Sequence, residues 1–329
     1  MVIGHSRCPL ILERFIYLFH MPLFFIFSGY FCKCESTGDF LSFTRKRVKG
    51  LYLPFVKWTT LFLLFHNLLA NINIENGSPY SMNEIFRKQV LILSTMTTND
   101  SLISPLWFLK SLLGSSVLIA FIHGVFKKNK GGGVINTTSL LILIFTTIFC
   151  SKKELYLPVL GETARITLAS AFFLIGYMYG QFDKRFHFHR NKYNLVLCIP
   201  LLTFAILVKT KLGFDNIYPA MVIPFIITGT LGTVFIHSVC YHFHFLQKNV
   251  LYYIGNHTLY ILVLHLTSFK IVSIIIIMVL HLPVQRLSEY PVIDTWHHIT
   301  WIPYSLVGVL IPILIFNLEY CIPTKRENS

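Results

Sequence analysis

Apolar side chains in this chain are gathered into nine long runs, separated by short polar stretches, at about 11–31, 51–70, 106–126, 134–150, 164–182, 193–208, 217–237, 251–280 and 299–320. The hydrocarbon core of a bilayer is crossed by about 20 apolar residues in helical form. No water is available there to satisfy the backbone, so a spanning segment of this kind must be helical. The pattern predicts an all-α fold, a polytopic transmembrane helix bundle of about nine complete spans, built as a single integral membrane domain over residues 1–329. The eighth run exceeds one crossing, so either its first part is interfacial or its helix is strongly tilted. Between the second and third runs, residues 83–96 carry Ile85, Phe86, Val90 and Leu93 at helical spacing. They read as an amphipathic helix lying in the interface of an external loop.

The charges sort the loops into two sets. Lys33, Arg45, Lys46, Arg47 and Lys49 follow the first run, and Lys127, Lys128 and Lys130 follow the third. Lys184, Arg185, Arg190 and Lys192 follow the fifth, and Lys325 and Arg326 follow the last. The alternate loops are richer in acids, with Glu75, Glu84 and Asp100 in one and Glu289 and Asp294 beside Arg286 in another. The positive-inside rule then predicts that the basic loops and the C-terminus are cytoplasmic and that residues before 11 lie outside.

Composition agrees. Hydrophobic residues make up 54% and charged residues 13%, against about a quarter charged in soluble domains. The formal net charge of +14 falls in clusters between apolar spans rather than along one face, so no nucleic-acid partner is implied. The seven cysteines, with Cys32 and Cys34 the nearest pair, lack metal-site spacing and read mainly as small apolar residues. No metal site is predicted. Gly131, Gly132 and Gly133 form a turn, since no strand precedes them and no Lys-Ser/Thr follows.

Candidate chemistry concentrates in the first run. Glu13, Tyr17, His20 and Phe24 fall on one face of a continuous helix, and an acid, a phenol and an imidazole in line can pass a proton or orient a base. Pro22 removes a backbone bond and frees a carbonyl near His20, while Ser28-Gly29 lets another helix approach closely. An interhelical packing motif explains the same residues, and both readings stay open. His5 sits at the outer edge, and His265 lies within the eighth run. Arg45 and Arg47 act as a topology signal, and their guanidiniums are also placed to bind phosphates. Arg165, near the outer end of the fifth run, suits an anionic or sugar group. Lys110 follows the aromatic Trp107-Phe108, whereas Lys57 and Lys270 are expected to snorkel. His187, His189, His242, His244, His297 and His298 read as ordinary loop or interface groups. No Gly-x-Ser-x-Gly, HExxH, P-loop or His-x4-Asp spacing occurs, which removes the usual hydrolase, protease, ATPase and glycerolipid acyltransferase signatures.

Five features carry a resemblance. Val2-Ile3-Gly4-His5-Ser6 and Phe19-His20-Met21-Pro22-Leu23-Phe24-Phe25 with Ser28-Gly29-Tyr30 come first; Phe43-Thr44-Arg45-Lys46-Arg47 leading to Leu53-Pro54-Phe55 is next. Pro105-Leu106-Trp107-Phe108-Leu109 and Ile254-Gly255-Asn256-His257-Thr258-Leu259-Tyr260-Ile261 through His265 follow in order. Together they resemble the acyltransferase-3 family of integral membrane acyltransferases, most closely its fucose 4-O-acetylase-like and polysaccharide O-acetyltransferase members. The family pattern of ten spans implies that most of a first helix is lacking ahead of His5. The resemblance implies transfer of an acyl group, usually acetyl from acetyl-CoA as donor rather than as bound cofactor, to a hydroxyl of a cell-surface sugar or polysaccharide precursor in the plasma membrane. It implies His5 as general base or transient acyl acceptor, assisted by His20. Arg45 and Arg47 would bind the CoA phosphates, and Trp107, Arg165 and His265 would line the substrate cavity. A glycan-precursor transporter or flippase, or an inactive truncated member, are the alternatives.

Overall fold

A computed structural model describes residues 1–32, 40–126, 132–157, 161–208, 210–215, 217–243, 249–295 and 297–321. Lys33, Cys34, Lys127, Lys128, Lys130, Gly131, His244, Lys325 and Arg326 lie outside the described residues. The chain is an all-α bundle of fourteen α-helices among the described residues, joined by short 3₁₀ turns and one two-stranded ribbon, Tyr156–Leu157 with Gly161–Glu162. The helices are α1 (Val2–His5), α2 (Leu10–Tyr17), α3 (His20–Tyr30), α4 (Phe40–Arg47), α5 (Leu53–Asn71), α6 (Met82–Thr95) and α7 (Trp107–Phe126). They continue with α8 (Gly132–Lys152), α9 (Thr163–Phe186), α10 (Cys198–Leu207), α11 (Val222–His242), α12 (Asn249–Asn256), α13 (Thr258–Leu280) and α14 (His297–Cys321).

All nine apolar runs fall on helix. Among the described residues, seven helical segments are long and apolar enough to cross a membrane: Leu10–Tyr30, Phe40–Asn71, Ser101–Phe126, Gly133–Lys152, Pro219–His242, Thr258–Leu280 and Ile299–Asn317. The fifth run is α9, a full 24 residues long and carrying Arg165 and Asp183. The sixth is a shorter apolar helix, Lys192–Leu207.

The middle of the bundle is built around α9, whose Leu168, Ala169, Ala171, Phe172, Phe173 and Leu174 are completely buried. Its partner is α3, and small residues let the two backbones touch. A Cβ on Gly29 would stand 1.9 Å from the Phe173 carbonyl oxygen, and one on Gly176 would stand 1.9 Å from that of Ile26. Gly180, one turn along α9 from Gly176, faces the Tyr30 carbonyl oxygen at 2.8 Å. This is the close approach expected of Ser28-Gly29, completed by a Gly-x3-Gly pair on the facing helix. The driving force is dispersion between backbones, because lipid offers no hydrophobic gain. The opposite side of α3 meets α11, where Gly229 abuts Pro22 and Gly232 abuts Phe19.

Several local expectations are revised. The first run is two helices rather than one: α2 ends at Tyr17, Phe19 takes φ −142°, and α3 restarts at His20. The basic segment after it is helical, continuing through a π-helical turn at Val48–Tyr52 into α5. Pro54 explains the turn, since it offers no N–H to the carbonyl of Gly50. The eighth run is likewise two helices, α12 and α13, parted at His257.

The segment expected in the interface, α6, instead lies antiparallel along α5. Tyr80 bonds Asn67, Gln89 bonds Thr60, and the Leu93 carbonyl accepts from Tyr52. Its start is fixed by a capping box between Ser81 and Glu84, and those same bonds hold the Glu84 carboxyl below the usual carboxylate range. Phe86 and Val90 remain exposed on its outer face. Part-buried side-chain hydrogen bonds at Tyr80 and Gln89 fix it along α5.

Lys270 does not snorkel. It is 2% exposed and donates to the Leu287 and Glu289 carbonyls at 2.7 and 2.8 Å. Of the described cysteines, Cys8, Cys150 and Cys198 are free, whereas Cys32 is disulfide-bonded.

Replacing Gly176 or Gly29 with alanine drives a methyl into a facing carbonyl that cannot swing aside. Each is expected to cost about 1–3 kcal/mol or more, read as a lower unfolding temperature of the detergent-solubilised protein. Gly255→Ala, where the added Cβ meets nothing within 4 Å, should leave that temperature unchanged.

Candidate functional site

The break between α2 and α3 does the first piece of local work. With the helical ladder interrupted at Leu18 and Phe19, the Ile16 carbonyl accepts from the Phe19 N–H in a tight turn. It also accepts from the His20 ring, whose Nδ1 lies 3.1 Å away. A carbonyl can only accept, so Nδ1 carries the hydrogen and Nε2 keeps its lone pair. Tyr17 packs edge-on against His20, with ring centres 4.6 Å apart. The predicted line of acid, phenol and imidazole survives in altered form. Glu13 does not extend along one continuous helix towards His20. It pairs with Lys211 at 2.7 Å, and that ammonium lies 3.6 Å over the Tyr17 ring.

His5 closes α1 and meets His265 of α13, with ring centres 5.4 Å apart. His265 is completely buried. Its Nδ1 donates to the Ile261 and Leu262 carbonyls, at 2.8 and 3.1 Å, while its Nε2 is buried without a hydrogen-bond partner. Two imidazoles here thus have their tautomer set by backbone, each leaving Nε2 as the basic atom. A hydroxyl tie between Ser305 and Ser6, 3.0 Å, holds α1 to α14.

His5 and His20 line one cavity, together with Tyr17, Trp107, Phe214 and Asp215. Its void is about 40 Å³, room for one or two waters or groups of that size. Trp107 also borders a second cavity of about 140 Å³, lined by Thr97, Thr98, Lys110, Ser111 and Arg165. Arg165 stacks its guanidinium 4.9 Å over Trp107, donates from Nε to the Phe214 carbonyl at 3.0 Å, and reaches Asp215 at 3.6 Å. Lys110 and Met96 border a third, mainly apolar groove of about 550 Å³, which runs past Phe40, Val48 and Tyr52. The three spaces form a series joined at Lys110 and Trp107.

The structure therefore brings together His5, His20, His265, Trp107 and Arg165 from α1, α3, α13, α7 and α9. Arg45 and Arg47 are not part of this cluster. They project from α4, Arg45 exposed and Arg47 half-buried with its guanidinium 5.1 Å from the Phe43 ring, and neither lines the apolar groove that Phe40 and Val48 border. Tyr17 was legible in the sequence, but Lys211, Phe214 and Asp215 were not. They come from a short connection between α10 and α11 that carries no motif, and only the folded chain lays it over Tyr17 and Trp107.

The class these features define is a polytopic helical membrane protein with a histidine cluster inside its bundle. A family model described as an acyltransferase domain matches residues 2–317. The chain belongs to that family, acyltransferase-3, and is a multi-pass membrane acyltransferase. No curated protein and no solved structure matches it.

Trp107 is the shared wall of two cavities and the platform for Arg165. Trp107→Leu should lower acyl transfer about tenfold, in keeping with loss of a partly desolvated cation–π contact of roughly 1–2 kcal/mol, whereas Trp107→Phe should keep most of the rate. Transfer of labelled acyl groups in isolated membranes measures both.

Proposed function

We propose that this acyltransferase moves an acetyl group from acetyl-CoA to a hydroxyl of a cell-surface sugar or polysaccharide precursor. The observation that carries the reading is the pair His5 and His20 on one small cavity, with the His20 ring held so that Nε2 is its base. The cavity admits a hydroxyl and an acyl carbonyl but not a whole sugar, so the bulk of both substrates stays outside it.

In this reading the neutral imidazole of His5 takes the proton of the acceptor hydroxyl as its oxygen attacks the thioester carbonyl. The C–S bond then breaks, and the CoA sulfur receives the proton from the imidazolium, leaving ester and free thiol. His20 orients the hydroxyl, and His265 packs against His5 to hold its ring. The donor enters along the apolar groove between α4 and α7, with Arg45 and Arg47 on its phosphates and its thioester passing Lys110 and Trp107. Arg165, beside the second cavity, contacts the acceptor. No bound cofactor is required. The loop charges support a cytoplasmic C-terminus; in a plasma-membrane protein so oriented, the donor is inside and the acceptor chemistry nearer the outer face.

His5→Ala should reduce acetyl transfer in membranes by roughly 10²- to 10⁴-fold, the usual worth of a positioned base. Mass spectrometry of surface glycans should register the loss of acetyl with the glycan itself intact. Activity retained in His5→Ala defeats the assignment, and loss of the whole glycan would point to transport instead.

A further inference from the structure

About ten residues along α3 from His20, a second polar cluster gathers that acyl transfer does not use. Asp183, at the end of α9, is 1% exposed in its side chain. Its Oδ2 accepts from the Tyr30 hydroxyl at 2.7 Å, and its Oδ1 from the His189 backbone N–H at 2.9 Å. The His189 ring lies against the same carboxylate, with Nδ1 at 2.9 Å from Oδ1 and 2.7 Å from Oδ2. Facing it from α11 is His237, whose ring stacks on that of His189 at 4.5 Å between centres and 17° between planes. The Nδ1 of His237 is 2.9 Å from the Tyr179 hydroxyl.

We infer that Asp183, His189 and His237 form a binding site for a divalent first-row metal ion such as Zn²⁺. One ligand atom from each of the three lies within 4.8 Å of the others, and they are the one such group among the described residues. Two imidazoles and a carboxylate are a donor set suited to zinc and its neighbours. Asp183 and His189 come from the end of α9 and the turn after it, and His237 joins them from α11. Tyr30 and Tyr179 stand behind the ligands as hydrogen-bond partners, the arrangement that orients metal-binding side chains. A buried carboxylate is paired or coordinates a metal; in the described structure Asp183 pairs with His189, while the neighbouring Lys184, Arg185 and Arg190 are exposed. A metal would take the place of the proton between His189 and Asp183, its ligand atoms drawn to about 2.0–2.2 Å from a common centre as the His237 ring turns out of its stack on His189. The ion would fasten α3, α9 and α11 at the end away from His20. This holds whether or not the acetyl-transfer reading does.

The test is a titration of the full-length, chelator-stripped protein in detergent with Co²⁺, followed by competition with Zn²⁺. One equivalent of Co²⁺ should develop visible d–d absorption that Zn²⁺ abolishes, and Zn²⁺ should raise the unfolding temperature. His237→Gln and Asp183→Asn should each weaken binding at least tenfold and lose the thermal shift, whereas His257→Gln, a remote histidine, should keep both. A full-length protein that gives no saturable absorption overturns the site, as does absorption that survives in folded Asp183→Asn or His237→Gln.

Discussion

The contact between α3 and α9 is the constraint on which the rest of the structure depends. Two helices ordinarily stand 8–10 Å apart, separated by side chains. Here Gly29, Gly176 and Gly180 remove those side chains and let carbonyl oxygens face bare Cα positions. That closeness fixes the depth of α3 in the bundle. The same helix carries His20 at one end and Tyr30 at the other, so a single interface positions both polar clusters. Gly229 and Gly232 of α11 hold α3 from its other side, leaving it little freedom to slide.

A second economy lies in the interrupted first run. A continuous helix would have spent the Ile16 carbonyl on the His20 backbone N–H. The break at Leu18 and Phe19 releases that carbonyl to the His20 ring instead. Backbone thereby selects the tautomer, with no carboxylate needed in the cavity. His265 reaches the same state by bonding to carbonyls one turn back along α13. Both arrangements avoid burying an extra charge, which a low-dielectric interior penalises heavily. The acids nearby are met by cations: Asp215 on the cavity wall faces Arg165, and Glu13 pairs with Lys211.

The misreadings share one cause. Hydropathy reports how much apolar surface a segment carries, not which polar atoms its neighbours supply. Residues 83–96 have an apolar stripe, yet Thr60, Asn67 and Tyr52 draw α6 and the turn before it alongside α5. Lys270 was assigned to the interface because a lone cation in a span usually reaches for water. Two carbonyls from the 284–289 turn meet it in the interior instead. The kinks at His257 and at Leu18–Phe19 likewise lie inside single apolar runs.

By itself the sequence determined that this is a helical membrane protein, the approximate position of every apolar run, the close-packing role of Ser28-Gly29, and the family. Those properties follow from local composition and from short motifs that survive outside their context. Only the tertiary structure decided that His5 and His20 share a cavity, that Trp107 and Arg165 stack beside it, and that Arg45 and Arg47 stand apart. It alone brought the motifless 211–215 connection to Tyr17 and Trp107, and Asp183 to His237. Such pairings join residues tens to hundreds of positions apart, and they are set by how closely glycine-lined helices approach, a geometric fact that no local pattern encodes.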